Sequence, residues 1–476
     1  MKSNAGMFPI FFIFYSSLFF FSSGLNSSDP TSEFNFLLNS IWSHVVESID
    51  LNLNQIFSPV DPISFHKTYL KTIKFLQDFE LKCFNQLNFP SQRLRSSKSY
   101  KYFLKKWPVN IYFQIRFQEI AFKFEQNLLL NQPPGTTTEN DYFYLKITNC
   151  LYDSLNYCWS ENCFLNCLTS NFWKLNLQLL SRYENYNRLA VIEQQTASVT
   201  ATSETVNNEH QQQVPIMNDA SDLKLLVYLM ADIKKLCDRL PNFFDGNVAP
   251  LMRASGVKEI GFVKESMSIS ISKFQELIVL INDRVVSIVV HQASVYLKNA
   301  NEMPRLYRRT NRELSKTASD YIKSTIQCIV SFNSEWNLVL DSASLNSILK
   351  KIIDQLGQKY KKNNLKSIIF FNFNSSFRYF SISNDLLSSV KKMEDSLKRL
   401  KRVRGDAKTD SNKIESNSNA TTTTVIMSDD DKIRLQLYTD VVEFGSSLME
   451  KFSYHGDDNY NNLFKLVDSV KSQIDA

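Results

Sequence analysis

Five histidines, seven cysteines and two dense runs of arginine and lysine are the residues here whose types could carry chemistry. The histidines, His44, His66, His210, His291 and His455, are scattered, and His210 sits in a polar, low-complexity stretch. His66 follows Asp61-Pro62, which reads as a helix start, so a structural role fits it better than general acid–base work. No serine-centred elbow, Walker loop or dinucleotide fingerprint occurs. Cys158, Cys163 and Cys167 lie close together, with Cys150 upstream. Structural zinc favours two-residue gaps between paired cysteines. Gaps of four and three residues without a nearby histidine read instead as buried thiols on a helix. The expectation is therefore no catalytic residue, no cofactor-binding residue and no metal ligand.

The two basic runs are candidates for binding, each set against the plainer reading of a solvated or acid-paired helix surface. Arg305, Arg308, Arg309 and Arg312 surround Leu306 and Tyr307. They would serve an acidic partner or a lipid headgroup, or else fix a helix-to-helix connection after Pro304. Lys391-Lys392 through Lys398-Arg399-Leu400-Lys401-Arg402-Val403-Arg404 is denser, and Val390, Met393, Leu397 and Leu400 add an apolar stripe. Such a stripe suits a membrane-surface or partner-docking helix, although Glu394 and Asp395 dilute the charge and an exposed helix end gives the same pattern. Over 476 residues the net charge is +6, too mild to argue for nucleic acid.

The elements that must hold these residues read as helices. Glycine numbers only 10, where ~7% is usual, and both sheets and phosphate-binding loops use glycine freely. Hydrophobic residues make up 43%, enough for a sizeable core. The organising stretch runs from Phe57 to Ala121. Asp61 and Pro62 start a helix on which Phe65, Tyr69, Ile73 and Leu76 share a face. Phe113 to Phe117 alternates like a strand, but Phe113, Phe117, Ile120, Phe124 and Leu128 continue as a helical stripe, and the longer pattern decides for helix. Helical faces also recur at Phe34, Leu37, Leu38, Ile41, Trp42 and Val45; at Trp173, Leu177 and Leu180; and at Phe274, Leu277, Ile281, Val285 and Ile288. A final one comprises Ile433, Leu437, Val441, Phe444 and Leu448. Pro133-Pro134-Gly135 marks a surface loop.

Polar gaps divide these faces. The expected divisions are 1–30, an apolar leader or non-family start; 31–189, a first helical region; 190–220, a disordered linker; 221–404, a second helical region; 405–428, a disordered loop; and 429–476, a C-terminal helical element. Residues Met7 to Ser23 are apolar, with Lys2 before them and Gly24 after, as in a secretory signal. On that reading the chain would be a secreted or endoplasmic-reticulum luminal helical protein, with glycosylation sequons at Asn26, Asn374 and Asn419. The scattered cysteines fit a reducing compartment instead.

Three separated blocks carry a resemblance. S-P-V-D-P-I-S-F-H-K-T-Y (58–69) with K-K-W-P-V-N-I-Y-F-Q-I-R-F-Q-E (105–119), M-P-R-L-Y-R-R-T-N-R-E (303–313) and D-D-K-I-R-L-Q-L (430–437) resemble, in order, the conserved oligomeric Golgi complex subunit 2 family. The resemblance implies an all-α protein of stacked helical bundles forming an elongated rod. It implies a non-catalytic scaffold that tethers vesicles in intra-Golgi retrograde transport and so maintains Golgi glycosylation enzymes. The expected partners are other subunits of the complex, SNARE fusion proteins, small GTPases and coat proteins, with peripheral contact at the cytosolic face of the Golgi membrane. Neither cofactor nor nucleic acid is expected. Family members carry a long N-terminal coiled-coil region ahead of the first block, which this sequence lacks, so residues 1–30 are expected to be non-family sequence at a truncated or misannotated start.

Overall fold

The computed structural model describes residues 42–87, 91–129, 142–200, 219–310, 313–372 and 429–452, and every regular element among them is a helix. The all-α expectation holds, including at Phe113–Phe117, which lies inside a helix. The apolar leader, most of the stripe beginning at Phe34, Pro133-Pro134-Gly135, the three sequons, the Lys391–Arg404 run and residues 405–428 lie outside the described residues.

The chain forms two compact units, residues 1–284 and 285–476. The first opens with α1 (Ser43–Asn52), a 3-10 turn at Asn54–Phe57 and the long helix α2 (Pro62–Leu87). Asp61 starts α2 as its type predicts: its carboxylate accepts from the Ile63 amide at 3.0 Å and the Ser64 hydroxyl at 2.6 Å. These bonds hold the Asp61 carboxyl below the usual range, the Ser64 hydroxyl contributing most. Helices α3 (Ser91–Ser96) and α4 (Lys98–Lys105) follow, and Ser97 caps α4 by accepting from the Tyr100 amide. Trp107-Pro108 then turns the chain into α5 (Val109–Leu129).

An aromatic cluster ties these helices together. Trp42 packs on Phe79, Tyr100 and Phe103, while Trp107 meets Phe57, Phe65 and Tyr69 edge-on. Trp42 is wholly buried, and emptying such a site costs about 3–5 kcal/mol. The cavity of about 10 Å³ beside it has room for one water at most.

Helix α6 (Lys146–Cys158), a loop and α7 (Thr169–Thr200) continue the unit. Phe172, Leu175, Leu179, Leu180 and Tyr183 form the buried line of α7, whereas Trp173 and Leu177 are half-buried. Of the face expected from Trp173, Leu177 and Leu180, Leu180 is buried as its spacing predicts, and the core line is rotated away from the other two because α7 is apolar on more than one side. Helix α7 also continues past the expected boundary at 189, with Val191 buried; the polar run after it does not stop a helix that tertiary packing has already begun. Helix α8 (Asp219–Phe243) carries Pro241 near its end, and a π-turn, Phe244–Val248, leads into α9 (Ala249–Ala254). Gly256, at φ +86°, ends α9: its amide donates to Arg253 O, and the Val257 amide donates to Met252 O.

Helix α10 (Ile260–Leu297) contains the division between the units. Phe274, Leu277, Ile281, Val285 and Ile288 are all buried, as their spacing predicts. The stretch Ile260–Arg309 could span a bilayer by length and composition, and the line from Phe274 to Ile288 within it is turned into protein. The second unit continues with a 3-10 turn at Lys298–Glu302, α11 (Met303–Thr310), α12 (Asp320–Trp336), α13 (Ser342–Asn372) and α14 (Asp429–Phe452). Ile433, Leu437, Val441, Phe444 and Leu448 of α14 are buried, so the C-terminal stripe is a core element.

Candidate functional site

Two patterns of buried polar side chains among the described residues fix backbone. The loop between α6 and α7 offers three consecutive carbonyls, and side chains from two helices take one each. Arg116 of α5 donates to Asn162 O at 3.3 Å, and Tyr112 of α5 donates to Cys163 O at 2.8 Å. His66 of α2 meets Phe164 O at 2.9 Å, which requires the proton on Nε2. Burial is the main reason the His66 pKa falls, so the ring is held neutral. The Tyr112 ring stacks on both Phe65 and His66.

Arg116 is 1% exposed and has further partners: Tyr157 Oη at 2.9 Å, Tyr112 Oη at 3.3 Å and Glu119 Oε2 at 2.8 Å. Burial opposes its charge, but the bonds to Tyr112 and Glu119 outweigh it and raise its pKa. The first resemblance block thus divides between two helices that grip one loop. His66 holds a carbonyl, as a structural histidine does.

A second pattern is a helix start capped by a carboxylate from elsewhere in the sequence. Helix α6 begins after Leu145, which has no capping group of its own. Asp232 of α8 supplies one, accepting from the Tyr144 and Leu145 amides at 2.8 and 2.7 Å. Burial pushes the Asp232 carboxyl up to about 6, although these amides pull the other way. Helix α12 is started in the same manner. Asp440 of α14, fully buried, accepts from the Ser319 amide at 2.7 Å, the Ser319 hydroxyl at 2.8 Å and the Tyr321 hydroxyl at 2.7 Å. Gln436, one turn before Asp440, donates to it and to Thr317 O, and accepts from Tyr307 of α11 at 3.1 Å. The second and third resemblance blocks therefore meet, through Tyr307 and Gln436.

The remaining candidates separate. Arg305, Arg308 and Arg309 lie exposed on α11, while Arg312 is outside the described residues. His44 and His291 are exposed on α1 and α10, and His210 and His455 are not described. Cys158 and Cys163 are buried; burial raises both thiols, that of Cys163 to about 12, which keeps them protonated and unlike thiolate ligands. The Tyr69 hydroxyl donates to Cys167 Sγ at 3.4 Å. Among the described residues no three His, Cys, Asp or Glu side chains converge to hold a metal ion.

Comparison with known proteins adds a family to this geometry. The family model described as COG complex component, COG2, C-terminal, matches residues 105–368 and 372–441. The chain is 31% identical to conserved oligomeric Golgi complex subunit 2 of Homo sapiens, over 93% of this chain and 58% of that protein. It is 29% identical to the Drosophila melanogaster protein of the same name, over 94% and 57%, and 24% identical to that of Arabidopsis thaliana, over 87% and 50%. The chain spans between half and three fifths of the length of these relatives.

Proposed function

This chain belongs to the conserved oligomeric Golgi complex subunit 2 family, and we propose that it acts as a non-catalytic scaffold subunit of that complex. In this role it tethers vesicles in intra-Golgi retrograde transport and so keeps glycosylation enzymes in their compartments. It works at the cytosolic face of the Golgi membrane as a peripheral protein. Its partners are the other subunits, with SNARE proteins, small GTPases and coat proteins engaged by the assembly.

The observation that carries this reading is the family match from residue 105 to 441. The site chemistry agrees with it. Arg116, His66, Asp232 and Asp440, buried groups of types that catalysis uses, are occupied with backbone or neighbouring side chains. A scaffold needs that arrangement, because its outer faces bind while its interior only has to keep shape.

Affinity purification of the tagged chain from cells, followed by mass spectrometry, tests the proposal. Near-stoichiometric recovery of the other complex subunits is expected. Their absence, or occupied glycans at Asn374 or Asn419, would overturn it, since glycans are added in the lumen.

A further inference from the structure

We propose that the outward face of α2 is a docking surface for an anionic lipid bilayer. Along this helix Ile63, Leu70 and Leu81 are 54%, 44% and 60% exposed. They are seven and eleven residues apart, close to two and three whole turns at 3.6 residues per turn, so they form one line. From Ile63 to Leu81 that line runs about 27 Å at 1.5 Å per residue. Lys67, Lys71 and Lys74 are exposed on the same side of the helix, between these aliphatic residues. Among the described residues none of the three lysines forms an ion pair, and Asp78 is the one acidic side chain on this face. Val60, in the turn just before α2, is 86% exposed and extends the apolar line.

The opposite face of α2 holds Phe65, His66, Phe75, Leu76 and Phe79 in the core, so the helix is already anchored and its outer side is left over. Charge selects the occupant. Residues 42–107 contain ten Lys and Arg against five Asp and Glu, an excess of five in a chain whose total net charge is +6. Two of those five acids are already neutralised, Glu80 by Arg95 and Asp50 by Lys106. The basic residues on the outer face are all lysines, which protein interfaces deplete but which carry aliphatic stems that lie along a lipid surface. Isolated aliphatic side chains on one helix, between lysines, suit shallow insertion among lipid headgroups better than a protein groove.

Co-sedimentation of the purified full chain with phosphatidylcholine vesicles, with and without phosphatidylserine, tests this surface. Binding to the phosphatidylserine vesicles alone, weakening as salt rises, is the expected result. The Lys67→Gln/Lys71→Gln/Lys74→Gln variant is expected to lose roughly fivefold per lysine, roughly a hundredfold in all. The corresponding Lys→Arg triple should keep binding, and Ile63→Ser/Leu70→Ser should weaken it without shifting thermal unfolding. Equal binding to neutral vesicles, undiminished binding by the Gln triple, or capture of an acidic helical peptide with no vesicle binding would each overturn the proposal. Because the purified chain is read without other subunits, failure here is distinguishable from failure of complex membership.

Discussion

Arg116 shows how a single side chain can set a loop. It is buried with four partners, and one of its bonds goes to a backbone carbonyl that has no other described donor at hand. Replacing it with Met keeps the bulk but leaves Asn162 O and Tyr157 Oη without their donor. A loss of about 3 kcal/mol is expected, read as a lower urea midpoint at unchanged slope. Arg116→Lys should recover little, since a point charge cannot reach partners spread around a planar fork.

Asp232 adds a pH dependence. Its carboxyl holds its proton up to about pH 6 in the folded chain, against an ordinary value of 3.8. Between those values folding takes up a proton, so this group's contribution to stability falls as pH rises through that window. The size is up to about 3 kcal/mol. Urea midpoints measured from pH 4 to 7 should show this slope, and Asp232→Asn should flatten it. An Asp232 slope of the opposite sign would mean that the amides dominate burial. At this scale the sequence revealed part of the design. Asp61 was legible as a cap because its partners are two and three residues away. The carbonyl grip was not, because His66 reaches across 98 residues to a backbone atom that leaves no mark in the residue types.

Helices themselves were legible wherever an apolar period persisted, as on α5, α10 and α14. Their starting points were less so. Neither Leu145 nor its neighbours announce the beginning of α6, and Ser319 has no side-chain cap bond of its own at α12. The capping groups arrive from α8 and α14. This makes a local prediction about α12. Asp440→Ala removes the acceptor for the Ser319 amide and hydroxyl and for the Tyr321 hydroxyl, at a cost of about 2–3 kcal/mol. Hydrogen exchange should accelerate first at residues 319–323, ahead of the middle of α12. Uniform acceleration along the helix would show that Asp440 supports the packing and not the first turn. The rotated face of α7 has a different cause: spacing finds an apolar line but cannot choose between two lines on a helix that packs on several sides.

For the molecule as a whole, the division between residues 284 and 285 was invisible in the sequence, because it lies within α10, where composition does not change. Polar gaps drew attention to 190–220 instead. The buried line of α14 predicts what its removal does. Burying five such side chains contributes on the order of 10 kcal/mol, comparable to the whole stability of a typical domain. A chain ending at residue 428 should therefore be cut rapidly by protease between residues 303 and 360, where Tyr307, Tyr321 and Tyr360 lose their partners on α14. Resistance of that segment would show that α11 to α13 stand without it.

The same carboxylate has a bearing on birth order. Asp440 follows Ser319 by 121 residues. At roughly 5–20 residues per second, a ribosome exposes the α12 start roughly 6–24 s before making the group that completes it. During that interval the nascent segment has its greasy side unmated, which makes it a natural client for chaperones and the point where slowed translation would do most harm.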